Sequence, residues 1–165
     1  MGQFLSLICR GTGAAIILTL MTLVKLPSSS AEIREINGCV IEPGTDCTHV
    51  ETGLKYKDLN GVDLSGANLS GITLHGSSLR GANLRGANLR GTEFDMAVLT
   101  DADLSEADLT DAYLSLSIVT NINLQGAILT NVDLRYAQGI DSANLEGAQF
   151  CHTTLPGGIV RNDHC

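Results

Sequence analysis

The chain has 165 residues, with 18 acidic against 10 basic side chains and a formal net charge of −8. That balance excludes the ordinary nucleic-acid binder, which needs Lys and Arg to neutralise phosphates. It equally disfavours docking on an anionic membrane surface.

Residues 1–31 come first. Arg10 precedes an apolar stretch from Ala14 to Val24, and the segment LPSSSA suits cleavage after Ala31, with Ser29 at minus three. This is the pattern of a secretory signal peptide. Its apolar stretch is about half of the roughly 20 residues that a membrane-spanning helix needs. An uncleaved anchor is the other reading. There is no twin arginine, and Cys9 lacks the small preceding residue of a lipoprotein box. All 18 acids lie after residue 31, whereas Arg10 and Lys25 leave with the leader, so a mature chain carries a net charge of −10. Residues 32–53 read as an N-terminal cap segment.

From Leu59 to Leu134 an apolar residue falls at every fifth position: Leu59, Leu64, Leu69 and so on, with Phe94 and Val119 as variants. A small residue, most often Ala, stands two before it, and Gly stands two after it from Gly61 to Gly91. A period of five is neither 3.6 nor 2, so this is neither an amphipathic helix nor a simple strand. Fixed self-similarity of this kind points to a solenoid. Stacking would bury a ladder of Leu side chains, each contributing roughly 1.5–3 kcal/mol. Chain ordering offsets most of that gain.

The segments GANLRGANLRG and DADLSEADLTDAYL resemble the pentapeptide-repeat family, whose motif is A-(D/N)-L-x-x, over residues 54–155. The resemblance implies an all-β fold, a right-handed quadrilateral β-helix of about five coils with one pentapeptide on each side. In that fold the residue after each Leu, such as Ser105, faces outward. The step from Leu134 to Leu145 is eleven residues, which places one extra residue near Ala137–Ile140.

Residues 156–165 read as a C-terminal cap tail. Without Cys9, four cysteines remain: Cys39, Cys47, Cys151 and Cys165. An even count in an exported chain implies disulfides, with three possible connectivities. About five coils at ~4.8 Å each would hold the two ends more than ~20 Å apart. A disulfide needs Cα atoms within roughly 7 Å. The implied fold therefore selects Cys39–Cys47 and Cys151–Cys165. The tail FCHTTLPGGIVRNDHC also resembles the ending of cyanobacterial and chloroplast members, although the Asp of their usual TTMPDG is absent. Its Cys151-His152 and His164-Cys165 pairs are zinc-ligand types, and a metal site is the alternative to the disulfide.

In a four-sided coil, residues 20 apart stack. Arg80, Arg85 and Arg90 then face a coil rich in acids, including Asp101, Glu106 and Asp111. Exposed ion pairs of this kind contribute about 0–1 kcal/mol each. Met96, Leu116 and Tyr136 replace the corner residue in three successive coils, with Val98 and Ile118 stacked on the adjoining side and Tyr113 nearby. Contiguous exposed apolar surface marks an interaction site. Met96, Val98, Leu116, Ile118 and Tyr136 are the expected protein interface, for an unidentified partner or self-association.

No catalytic constellation or cofactor motif is visible. The expected function is a non-catalytic exported scaffold or protein-interaction module, in a periplasm or thylakoid lumen, off the membrane once the leader is cleaved. Two alternatives remain: a metal-binding protein acting through the Cys-His tail, and an acidic DNA mimic. The resemblance implies the latter, since some members protect DNA gyrase.

Overall fold

In the computed structural model the described residues are 34–165, Thr52 excepted, so the leader expected over residues 1–31 lies outside them. The pentad Leu84-Arg85-Gly86-Ala87-Asn88 shows how five residues satisfy their own backbone. Leu84 and Gly86 N–H donate to Asp103 and Ser105 carbonyls in the following coil, at 2.7 and 2.8 Å. Asn88 N–H donates to the Ala67 carbonyl in the preceding coil at 2.9 Å, and Ala87 N–H closes a turn onto the Leu84 carbonyl at 3.1 Å. The remaining donor, Arg85 N–H, bonds Asn83 Oδ1 at 3.1 Å. Every donor of the pentad thus has a partner, as a buried backbone requires.

Successive coils join through single parallel bridges at a register of 20 residues, for example Asp58↔Ser78, Ser78↔Val98, Val98↔Ile118 and Ile118↔Gln138. The register changes to 21 at Asn123↔Asn144 and Asp133↔Thr154. It is also 21 where β3 (Ile128–Thr130) pairs with β4 (Gln149–Cys151). The extra residue therefore enters between Gln138 and Asn144, at the slip visible in the sequence. There Gly139, at φ 86°, leads into a single 3-10 turn, Ile140–Ser142. A Cβ on Gly139 would collide with the backbone of Thr120.

The Leu ladder is buried from Leu54 to Leu134, while Leu145 and Leu155 are half-buried, and Ala67, Ala82, Ala97, Ala107, Ala112 and Ala127 fill the space beside it. Where Ser or Thr takes the Ala position, the hydroxyl donates to a carbonyl: Thr92 Oγ1 to Leu69 at 2.8 Å and Ser117 Oγ to Leu114 at 2.6 Å. Among the described residues no buried side-chain nitrogen or oxygen lacks a hydrogen bond. One expectation fails: Ser105 and Thr110, each one after a core Leu, are buried rather than outward. Both are short and lie in register with longer neighbours, Arg85 and Gln125 for the first and Arg90 for the second.

Both ends carry antiparallel pairs. β1 (Arg34–Ile36) and β2 (Cys39–Ile41) form a hairpin. Its two-residue turn is Asn37-Gly38, at φ 55° and 86°. Asn-Gly favours this geometry because both turn residues need positive φ. Asp46 then bridges Asn68, and Cys47 already lies in the core. At the far end β5 (Thr153–Thr154) pairs with β6 (Val160–Arg161), across the tight turn Pro156–Gly158.

Candidate functional site

The corner position two after each core Leu requires a left-handed backbone. Glycine adopts it freely, and Asn or Asp tolerate it better than other side chains. Two of the four corner columns follow that rule, with Gly61, Gly81, Asp101 and Asn121 in one, and Gly71, Gly91, Asp111 and Asn131 in another. The third holds Gly66, Gly86 and Gly126 and departs from it once, at Glu106. The fourth does not follow it: Tyr56, Met96, Leu116 and Tyr136 stand at φ 53°, 59°, 60° and 62°. Their side chains are 72%, 55%, 53% and 69% exposed, so burial does not compensate the left-handed conformation.

Tyr56 belongs to this edge although sequence reading left it out. Gly76, one coil on, separates it from Met96 in the column. A Cβ on Gly76 would meet the Tyr56 ring at 2.6 Å, so the ring lies directly over that glycine. It also meets His75 edge-on, with centroids 5.4 Å apart. A residue count in steps of 20 back from Met96 would have found it. Val98 and Ile118 bridge each other and are half-buried beside the edge, and Tyr113 is exposed on the preceding side. The structure thus brings Met96, Leu116, Tyr136, Val98 and Ile118 into one apolar strip and adds Tyr56.

Charge is unevenly placed around the strip. Burial pushes the Asp95 carboxyl up, against the opposing attraction of His75. Elsewhere Arg85 pairs with Glu106 at 2.6 Å, and Arg90 with Asp108 at 3.0 Å rather than with Asp111. Arg80 joins no ion pair among the described residues. Burial raises Asp108, but the Thr110 hydroxyl and N–H and the Arg90 guanidinium outweigh it and leave the carboxyl below its usual value.

The D/N of the repeat has a role that sequence reading did not assign. Its carboxyl or amide oxygen caps the N–H two residues on, as Asp63 does for Ser65 at 3.1 Å and Asn123 for Gln125 at 3.2 Å. Its amide also reaches the coil before, as Asn83 does to Asp63 at 2.9 Å and Asn123 to Asp103 at 2.9 Å. These residues support the scaffold.

The four cysteines lie at the two ends. Cys39 and Cys47 form a disulfide with Cα atoms 5.1 Å apart, both fully buried. Cys151 and Cys165 form another, with Cα atoms 5.0 Å apart. His152 stands beside this second pair, its Nδ1 3.4 Å from Cys151 Sγ. His164 does not join them, because its Nδ1 accepts the Phe150 N–H at 3.2 Å. Of the zinc-type tail ligands, the structure therefore gathers three rather than four. Among the described residues no Ser or Thr hydroxyl bonds a histidine ring; Thr73 Oγ1 accepts only from the His75 backbone N–H, at 3.5 Å.

The sequence family described as Pentapeptide repeats matches residues 58–95, 77–115 and 107–138. No curated protein matches the chain. Among solved structures, a pentapeptide repeat protein from the Arabidopsis thaliana thylakoid lumen is 37% identical, covers 67% of this chain and is itself covered over 72%, with a TM-score of 0.50. Rfr23 from the cyanobacterium Cyanothece 51142 is 32% identical over 53% of this chain and 58% of its own, with a TM-score of 0.51. HetL from Nostoc sp. strain PCC 7120, involved in heterocyst differentiation regulation, is 25% identical over 70% and 64%, with a TM-score of 0.57. The chain spans less than two thirds of the length of these two cyanobacterial proteins.

Proposed function

This chain belongs to the pentapeptide-repeat family, and from that premise we propose that it is a non-catalytic interaction module or scaffold, exported to a periplasm or thylakoid lumen. The solved relatives imply a right-handed quadrilateral β-helix, and about five coils is the count we read for residues 54–155. The observation that carries the functional reading is the single apolar corner column, Tyr56, Met96, Leu116 and Tyr136. Large exposed side chains stand there in a backbone conformation that disfavours them by roughly 1–2 kcal/mol each. Strain kept at an exposed site points to use of that site. Val98 and Ile118 extend the strip, and aromatic residues are common binding hot spots.

Export is supported by the leader-like residues 1–31, by two disulfides that hold in an oxidising compartment, and by the lumenal relative. The acidic charge also fits a DNA mimic acting on gyrase, but export separates the chain from a cytoplasmic target. The test is a photo-reactive residue placed at Leu116 or, as control, at exposed Gln125, in the organism's own cells. We expect a defined adduct, with a partner protein or a second copy, from position 116 alone. It should be lost when Met96→Glu is added. No adduct at 116, or equal adducts at both positions, would overturn the interface.

A further inference from the structure

The C-terminal cap holds a cluster that the interaction reading does not use. Cys151 Sγ, His152 Nδ1 and Cys165 Sγ lie within 4.8 Å of one another. Ligand atoms around a tetrahedral zinc ion lie roughly 3.3–3.8 Å apart, given bonds of about 2.0–2.3 Å. The Cys151–His152 separation of 3.4 Å already falls in that range. The disulfide is what prevents coordination, since it consumes both thiolates. We propose that reduction of Cys151–Cys165 converts the C-terminal cap into a zinc site, with Cys151 Sγ, His152 Nδ1 and Cys165 Sγ as ligands and a fourth position open to water.

The site needs Cys165 to stay in place after the disulfide opens, and other contacts hold it there. The His164 N–H donates to the Phe150 carbonyl at 2.9 Å, and the His164 ring accepts the Phe150 N–H. The Arg161 guanidinium lies 3.7 Å above the Phe150 ring. The His152 N–H donates to Asn162 Oδ1 at 2.8 Å, and β5–β6 pairing binds the tail independently of sulfur. With Cα atoms 5.0 Å apart, side-chain rotation alone can separate the two sulfurs to the spacing zinc requires.

Access makes the conversion selective. Cys39 and Cys47 are fully buried, whereas Cys151 is half-buried and Cys165 exposed. Thiol–disulfide exchange requires an attacking thiolate to reach a sulfur, so a dithiol reductant opens the C-terminal pair first. The exchange balances: the reductant's two thiols become its disulfide, and Cys151 and Cys165 take up the two hydrogens as thiols. Zinc binding then releases two protons as the thiols become thiolate ligands.

The test uses the full chain with Cys9→Ser, reduced by a dithiol that is then removed without oxygen, and Co²⁺ as the optical probe. The reduced chain should bind one Co²⁺ with a thiolate-to-cobalt charge-transfer band, displaced by Zn²⁺, and the oxidised chain should show none. Zn²⁺ should also slow reformation of the Cys151–Cys165 disulfide on return to air. His152→Ala should weaken binding by about tenfold or more, and joint replacement of Cys151 and Cys165 by Ser should abolish the band. A reduced chain without the band overturns the proposal. A band that survives loss of Cys151 and Cys165, or binding unaffected by His152→Ala, overturns it as well. None of these outcomes bears on the apolar edge.

Discussion

Among the described carboxyls, Asp95 alone is pushed above its ordinary value. It stands beside Met96 on the apolar edge, and burial raises its carboxyl although His75 attracts it. A carboxyl whose folded pKa is raised binds its proton more tightly in the native state. Its penalty is therefore absent below the unfolded value of about 3.9 and is complete once pH has risen through the folded value. Asp95→Asn should raise the urea midpoint slightly at pH 7, by well under about 1 kcal/mol at so open a site. The difference from native should vanish on acidification. Asp133 behaves oppositely: hydrogen bonding from Arg135 lowers it despite some burial. Its stabilisation is present above the unfolded value of about 3.9 and is lost as pH falls through the folded value. Urea midpoints of native and Asp95→Asn protein across pH 3–7 would test the sign at Asp95, and the same series with Asp133→Asn the sign at Asp133; a gap that widened on acidification would refute the assignment for Asp95.

The side of the helix is where most of the design is legible from sequence. The Leu-to-Leu spacing, the Ala two before it and the Gly two after it are all positions where one steric demand recurs, so they show as periodic letters. The eleven-residue step between Leu134 and Leu145 was visible for the same reason. The burial of Ser105 and Thr110 was not, because it depends on neighbours a full coil away. Neither was the capping role of Asp and Asn, which lies in a hydrogen bond rather than in hydrophobicity. Asn123 gives three such bonds: its Oδ1 caps Gln125 and accepts from Asn144 at 3.0 Å, and its Nδ2 donates to Asp103. Asn123→Ala should lower stability by about 1–2 kcal/mol, since some of these groups regain water. Gln125→Ala should change little. Equal effects in chemical denaturation would mean that the D/N of the repeat is surface decoration.

At the scale of the whole molecule, a solenoid is held by nearest-neighbour stacking and must be closed at its ends. The two disulfides sit at those ends, one beside the Asn37-Gly38 hairpin and one beside the β5–β6 pair. The sequence reading drew end segments at residues 32–53 and 156–165 and relied there on the cysteines, without the hairpin or the β5–β6 pairing. The candidate edge was legible only in part: a step of 20 linked Met96, Leu116 and Tyr136, while Gly76 concealed Tyr56. What no periodicity could show is that these side chains occupy left-handed backbone positions, where the other corner columns use Gly, Asp, Asn or Glu.

That contrast decides between an edge kept for binding and an edge that helps the fold. The most direct measurement is the denaturant midpoint of Leu116→Asn, because Asn already stands at corner positions 121 and 131, both at φ 56°. If Leu116 serves a partner, the variant unfolds at the native midpoint or up to about 1 kcal/mol above it, with an unchanged m-value. A fall of more than about 1 kcal/mol would show that Leu116 packs for stability, and would contradict an edge retained for binding.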